Sequence, residues 1–182
     1  MTKRLSTAQV DQLLAQLKLT RKTADILLIG DGSGQYSENP CGWAAAGIIV
    51  ATGEFRPFFG AMSSGSNQVG EFMPYCQALS YYAIQRKKQQ HLGVCRVHIA
   101  TDAEYIRDIG QGKRKVCLSL ELWNVFMAHF RRLGFGVHWH WLPRETLALN
   151  AWADKTSRDC RLLLEGFGKG VVGYEKKSLA KT

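Results

Sequence analysis

Four carboxylates are spaced as a set that could hold metal: Asp31, Glu71, Asp102 and Asp154. Ile26-Leu27-Leu28-Ile29-Gly30 runs straight into Asp31, and Gly32-Ser33-Gly34 then breaks the run. A short apolar run bounded by turn residues reads as a buried strand. An ionised carboxylate at its end is costly unless a lysine, an arginine, a helix N-terminus or a metal ion pairs with it. Gly32 and Gly34 are expected to leave the backbone room for a ligand. Taken alone, Asp-Gly-Ser is also an ordinary turn. Residues 94–101 form a second apolar run that ends at Asp102. Glu71 is expected in the first turn of a helix that follows an edge strand. Asp154 is expected in the first turn or so of the last helix. If the two strands are neighbours, both aspartates meet at the sheet's carboxyl edge, where open sheets place their sites. Like charges this close cannot all stay ionised without a counter-charge. Two Mg²⁺ ions roughly 3.5–4 Å apart would supply it and would suit phosphodiester cleavage.

The elements that must position these residues can be read in order. Ser6-Thr7-Ala8-Gln9 fits a capping box, and Val10, Leu13, Leu14 and Leu17 follow at helical spacing. This predicts an amphipathic helix over about 7–18, whose stripe docks either on the domain or on a protein partner. Arg21-Lys22 reads as linker, so residues 1–23 form an N-terminal extension. Residues 24–62 read as three strands joined by short turns, hence antiparallel, with Pro57 marking the third as an edge. A helix should follow to about residue 88, carrying Pro74 early, where it does least damage. The fourth strand ends at Asp102, a short helix ends at Gly110, and a longer helix spans about 119–133. Residues 137–142 are the fifth strand, with His138 and His140 alternating with Trp139 and Trp141. Two histidines so spaced can bind metal, but the sequence offers no third ligand nearby. The last helix spans about 150–164, and the glycine- and lysine-rich residues 166–182 read as a flexible basic tail. Three strands, helix, strand, helices, strand, helix is a mixed α/β sheet with helices on its faces. The main domain is therefore 24–165.

With 182 residues, 46% of them hydrophobic, the chain can bury a core. No apolar stretch approaches the roughly 18 residues that span a membrane, and no apolar run follows the N-terminus as in a signal peptide. Five scattered cysteines without a Cys-x-x-Cys pair argue against zinc and against a disulfide framework. A cytoplasmic location is expected. The net charge of +9 favours a polyanionic partner, though a merely basic protein would show the same number.

At this point the residues resemble a family, the type 1 ribonucleases H and their relatives in reverse transcriptases. Asp31-Gly32-Ser33, Gly42-Trp43-Ala44, Asn67-x-x-x-Glu71, Thr101-Asp102-Ala103-Glu104-Tyr105-Ile106, Leu122-Trp123 and Asn150-x-x-Ala153-Asp154 carry the likeness in family order, over about 24–165. The resemblance implies an RNase H-like fold, a five-stranded mixed sheet in which three antiparallel strands are followed by parallel ones. It implies a nuclease that uses two Mg²⁺ ions, with Mn²⁺ as a substitute, to cut the RNA strand of RNA–DNA hybrids. Asp31 would bridge both metals, Glu71 and Asp102 would complete one site and Asp154 the other. Gly32, Ser33, Asn67, Gln68 and Asn150 would touch the hybrid. Three-to-five exonucleases fit less well, because they want Asp-x-Glu on the first strand.

Two departures from the family pattern stand out. Many members carry a mobile histidine after the fifth strand, where this chain has Leu142-Pro143-Arg144-Glu145. By resemblance Arg144 takes that catalytic place, able to bind phosphate but not to shuttle protons at neutral pH. The segment after Asp102 is also too short for the basic protrusion of some bacterial members. Lys113, Arg114 and Lys115 are its one candidate substitute, and a solvated loop is the plain reading. Two rivals remain open: another nuclease of this fold acting on structured DNA or double-stranded RNA, and a non-catalytic nucleic-acid-binding or assembly module. The altered loop, Gly70 and Pro74 favour the second, and the intact carboxylate set opposes it.

Overall fold

The structure is a computed structural model that describes residues 3–35, 38–88, 94–114, 127–128, 130–131, 134–143 and 146–179. Arg144, Glu145, Lys115, Cys117 and Leu122-Trp123 lie outside them. So does most of the helix expected over 119–133, of which Met127, Ala128, Phe130 and Arg131 are helical.

The elements are β1 (Lys3–Arg4), α1 (Thr7–Gln16), β2 (Ile26–Ser33), β3 (Cys41–Ile49), β4 (Glu54–Met62), α2 (Asn67–Lys88), β5 (Cys95–Thr101), α3 (Glu104–Gly110), β6 (Phe135–Trp141) and α4 (Ala148–Leu179). One sheet runs in the order β1-β4-β3-β2-β5-β6. β4, β3 and β2 pair antiparallel, and β2, β5 and β6 pair parallel. This is the mixed sheet expected, with six strands in place of five. The addition is β1, whose Lys3 and Arg4 pair with Phe55 and Glu54. Two polar residues carry no period-two pattern, so sequence offers no signal for such a strand. Among the described residues β1 pairs only with Glu54 and Phe55, and Pro57 lies two residues further along β4.

Both faces of β2 are covered, which is why its apolar run is continuous. Ile26 and Leu28 pack with Tyr75, Ala78, Leu79 and Tyr82 of α2. Leu27 and Ile29 pack with Val10, Leu14 and Leu17 of the α1 segment. The α1 stripe therefore docks on its own sheet. The capping box is present, with Ser6 and Gln9 bonded reciprocally. Arg21 is a tie and not a linker residue. Its guanidinium reaches Asp11 at 2.7 Å, the Val50 carbonyl at 2.9 Å and the Thr7 carbonyl at 3.2 Å.

α4 continues to Leu179, well past the end expected near 164. Glycine costs about 1 kcal/mol in a helix but does not block it as proline does, and no proline follows Leu164. Cys41, Cys76, Cys95 and Cys160 are free thiols. No helix among the described residues is long and apolar enough to cross a membrane.

Candidate active site

The parallel pairing of β2 with β5 settles where two of the acids go. Ile29 pairs with Ala100, so Asp31 and Asp102, two residues further on, lie side by side, Asp31 still paired with Ala44 of β3. Glu71 arrives from α2, as the fifth residue of a helix that begins at Asn67. It therefore lies one turn later than sequence suggested. One oxygen from each of Asp31, Glu71 and Asp102 falls within 4.8 Å of the others. Asp31 and Glu71 are buried and Asp102 half-buried.

Glycines make this approach feasible. A Cβ on Gly32 would stand 2.1 Å from the Gly70 carbonyl carbon and from the Glu71 nitrogen. A Cβ on Gly70 would meet the Gly42 carbonyl oxygen at 3.2 Å and the Ser33 nitrogen at 3.3 Å. Gly32 thus makes room for α2. Gly34 does the same, since its N–H donates to Asn67 Oδ1 at 3.1 Å. Gly70, which looked like a departure from the family, is a close-packing residue. Tyr75, one turn beyond Glu71, is fully buried, with its hydroxyl 2.8 Å from the Gly30 carbonyl and 3.3 Å from that of Ala100. It pins β2 to β5 directly beneath the acids. Sequence reasoning missed it, although its spacing of four from Glu71 placed it on the same helix face.

Burial and the negative charges of Asp31 and Asp102 hold the Glu71 carboxyl well above the usual carboxylate range, and the Gly32 N–H offsets only part of this. Glu71 Oε2 is buried and has no hydrogen-bond partner among the described residues. Burial, then the same three acids, also raise the Tyr105 hydroxyl. Three carboxylates this close, two of them buried, form a donor set of hard oxygens for a divalent cation.

No protein-family model and no curated protein matches the sequence. Solved structures do match. LC11-RNase H1, isolated from compost by a metagenomic approach and solved in complex with RNA/DNA hybrid, superposes with a TM-score of 0.63 at 21% identity, over 75% of this chain and 96% of that one. The N-terminal RNase H domain of a Mycobacterium tuberculosis protein gives 0.60 at 16% identity, over 79% and 97%. RNase H1 from the archaeon Halobacterium salinarum NRC-1 gives 0.56 at 16% identity, over 74% and 96%. The chain has the ribonuclease H fold.

Within that fold the fourth acid stands apart. Asp154 is outside the three-carboxylate group, and Arg158 one turn on holds both its oxygens, at 3.0 and 2.7 Å. It is the seventh residue of α4, because the helix starts at Ala148 and not at Asn150. The buried Asn150 on the same face points its Nδ2 at Asp102 Oδ2, 3.4 Å away. α4 lies tight on β3, where a Cβ on Gly42 would stand 2.0 Å from the Ser157 carbonyl oxygen. Ser33 Oγ accepts from Arg161 Nε at 3.0 Å. Ser33 and Asn67, both expected at the nucleic acid, thus also tie β2 to α4 and α2. Gln68 is half-buried in the first turn of α2, and Lys113 and Arg114 are exposed after α3.

The histidines hold a correction. His138 and His140 do have a third histidine near them, His98 on β5, in register with His138. Its Nδ1 lies 2.8 Å from His140 Nε2 and its Nε2 lies 3.0 Å from the Thr23 carbonyl. The His98 and His138 rings stack at 4.8 Å. The carbonyl of Thr23 fixes the proton on Nε2, so His98 Nδ1 accepts from His140. The cluster is a hydrogen-bonded clamp on the segment that follows α1.

Proposed function

We propose that this chain is a divalent-metal-dependent endoribonuclease that cuts the RNA strand of RNA–DNA hybrids. The observation that carries the reading is the Asp31, Glu71 and Asp102 cluster at the carboxyl edge of a ribonuclease H sheet. The solved complex of LC11-RNase H1 with RNA/DNA hybrid supports the substrate class. The net charge of +9 supports a polyanion.

The residues present fit a divalent ion. Hard oxygen donors converge, and Glu71 in particular keeps an oxygen without a hydrogen-bond partner among the described residues, in a site where burial and its acidic neighbours disfavour its charge. Asp31, Glu71 and Asp102 would hold one Mg²⁺ or Mn²⁺, and Asp154 would help to hold a second. When bound, such ions supply Lewis acidity for the attacking water and for the departing 3′ oxygen. The chain's own residues do the rest. Glu71 would offer its oxygen to the ion, whose charge would favour the ionised carboxylate. Asn150 orients Asp102, and Tyr75 keeps the two strands from spreading. Asp154 would have to leave Arg158, which holds both its oxygens, to help hold the second ion. Arg144 would bind the phosphate that cleavage frees. The protein would recognise A-like shape and 2′-hydroxyls, not sequence.

The test is a cleavage panel of RNA–DNA hybrid, double-stranded RNA and duplex DNA with Mg²⁺ or Mn²⁺. Cutting confined to the RNA of the hybrid supports the reading. Cutting of the other duplexes points to a different nuclease of the fold, and no cutting at all points to a binding module.

A further inference from the structure

We propose that Trp141 is the surface against which the substrate's sugar–phosphate strand packs as it leaves the acidic cluster. The proposal rests on the ribonuclease reading above and names a contact for it. Trp141 is the last residue of β6 and pairs with Thr101, the residue before Asp102. Its Nε1–H donates to the Asp102 main-chain oxygen at 3.2 Å, which fixes the indole beside the cluster. The side chain is nevertheless 43% exposed. Its strand neighbour shows the contrast. Trp139 is buried, packs edge-on against Tyr75, and its carbonyl takes Gln111 Nε2 at 2.9 Å, so α3 covers it. α3 stops short of Trp141, roughly 6.6 Å further along the strand.

A large apolar ring held at the rim of a charged site has no structural need to face water. It offers rigid contact area with little rotamer entropy left to lose. The surroundings set what it contacts. Asp102 lies at one side, and beyond Gln111 the loop after α3 exposes Lys113 and Arg114. Acid cluster and aromatic face are adjacent at this edge, so an anionic strand whose phosphate enters the cluster would meet the indole beside it. In a duplex the bases are already stacked on one another, so the indole meets the sugar's apolar face in the wide, shallow groove of an A-like helix.

The experiment measures binding of a fluorescently labelled RNA–DNA hybrid with Mg²⁺ in the Asp31→Asn background, so that nothing is cut. Trp141 is kept, changed to Phe or changed to Ala. Phenylalanine keeps an aromatic face but loses the N–H bond to Asp102, which separates the two roles. The proposal expects Trp141→Ala to weaken binding about 10- to 100-fold, as for a buried aromatic anchor, and Trp141→Phe by less than about 5-fold. In the otherwise unchanged enzyme, Trp141→Ala should raise KM and leave kcat within about 3-fold. Equal loss in Phe and Ala, or a fall in kcat with KM unchanged, would overturn the proposal and make Trp141 a positioning residue for Asp102. Hybrid binding indifferent to Trp141 overturns the proposal alone. An Asp31→Asn protein that binds no hybrid overturns the ribonuclease reading, and the proposal with it.

Discussion

Glu71 carries the sharpest residue-scale consequence. Its folded-state carboxyl keeps a proton that the unfolded chain releases near the ordinary 4.5. Between those two points the unfolded state binds fewer protons, so the metal-free protein loses stability as pH rises from about 4.5. Thermal unfolding in EDTA should show that decline as the difference between wild type and Glu71→Gln, because the histidines on β5 and β6 contribute an opposite slope. Glu71→Gln should flatten it, and Mg²⁺ should reverse it by binding the folded state. A metal-free pH–stability curve that Glu71→Gln leaves unchanged above pH 4.5 would sink this account of the site. Gly32 gives a second test. Its missing Cβ lies on backbone that cannot move aside as a side chain can. Gly32→Ala should destabilise by about 3 kcal/mol, at the upper end for overpacking, and should abolish metal binding by pushing α2 off β2. Sequence marked Gly32 as a place where the backbone needs room, and the fold shows α2 taking that room. A glycine reports that something comes close, and only the fold says whether that is ligand or helix.

Among the elements, the strands were legible and their ties were not. The runs ending at Asp31 and Asp102 signalled themselves because both faces of β2 and most of β5 are buried. The adjacency of β2 and β5 was a condition in the sequence reading, and the parallel register fulfils it. Arg21, His98 and β1 escaped because each acts across long sequence separations with no periodic pattern. The segment they secure should be acid-labile. Burial lowers the His98 imidazole from 6.5 to about 4, and the His140 and His138 rings add to this. Burial lowers His140 as well. The unfolded chain therefore takes up protons first, so this contribution is complete above pH 6.5 and is lost as pH falls towards about 4. That slope is opposite to the one from Glu71. Proteolysis of the 18–24 segment should accelerate over that window in the wild type. His98→Gln should remove most of the pH dependence, and an unchanged profile would show that the clamp does not hold the segment. Leu14→Ala tests the same docking by packing. It should cost about 2–4 kcal/mol on unfolding while the acidic cluster still binds metal.

At the scale of the molecule, a basic chain surrounds a small acidic centre. The proposed substrate, a phosphodiester met with divalent ions, would complement both charges. The four acids, their order and their elements could be read without coordinates. The distribution among them could not: three converge, and the fourth is held by Arg158, whose spacing of four on α4 decides it locally. Hybrid affinity should fall steeply with salt, with a log–log slope of several units, because phosphate contacts dominate. The measurement that tests the central claim most directly is cleavage of an end-labelled RNA–DNA hybrid across a Mg²⁺ titration, with wild type and Asp31→Asn side by side. Wild type should cut only the RNA strand, in proportion to bound metal, leaving 5′ phosphates. Asp31→Asn should be at least about 10³-fold slower, while folding as well as the wild type or better. Cleavage by wild type without divalent ions, or a near wild-type rate in Asp31→Asn, would contradict it.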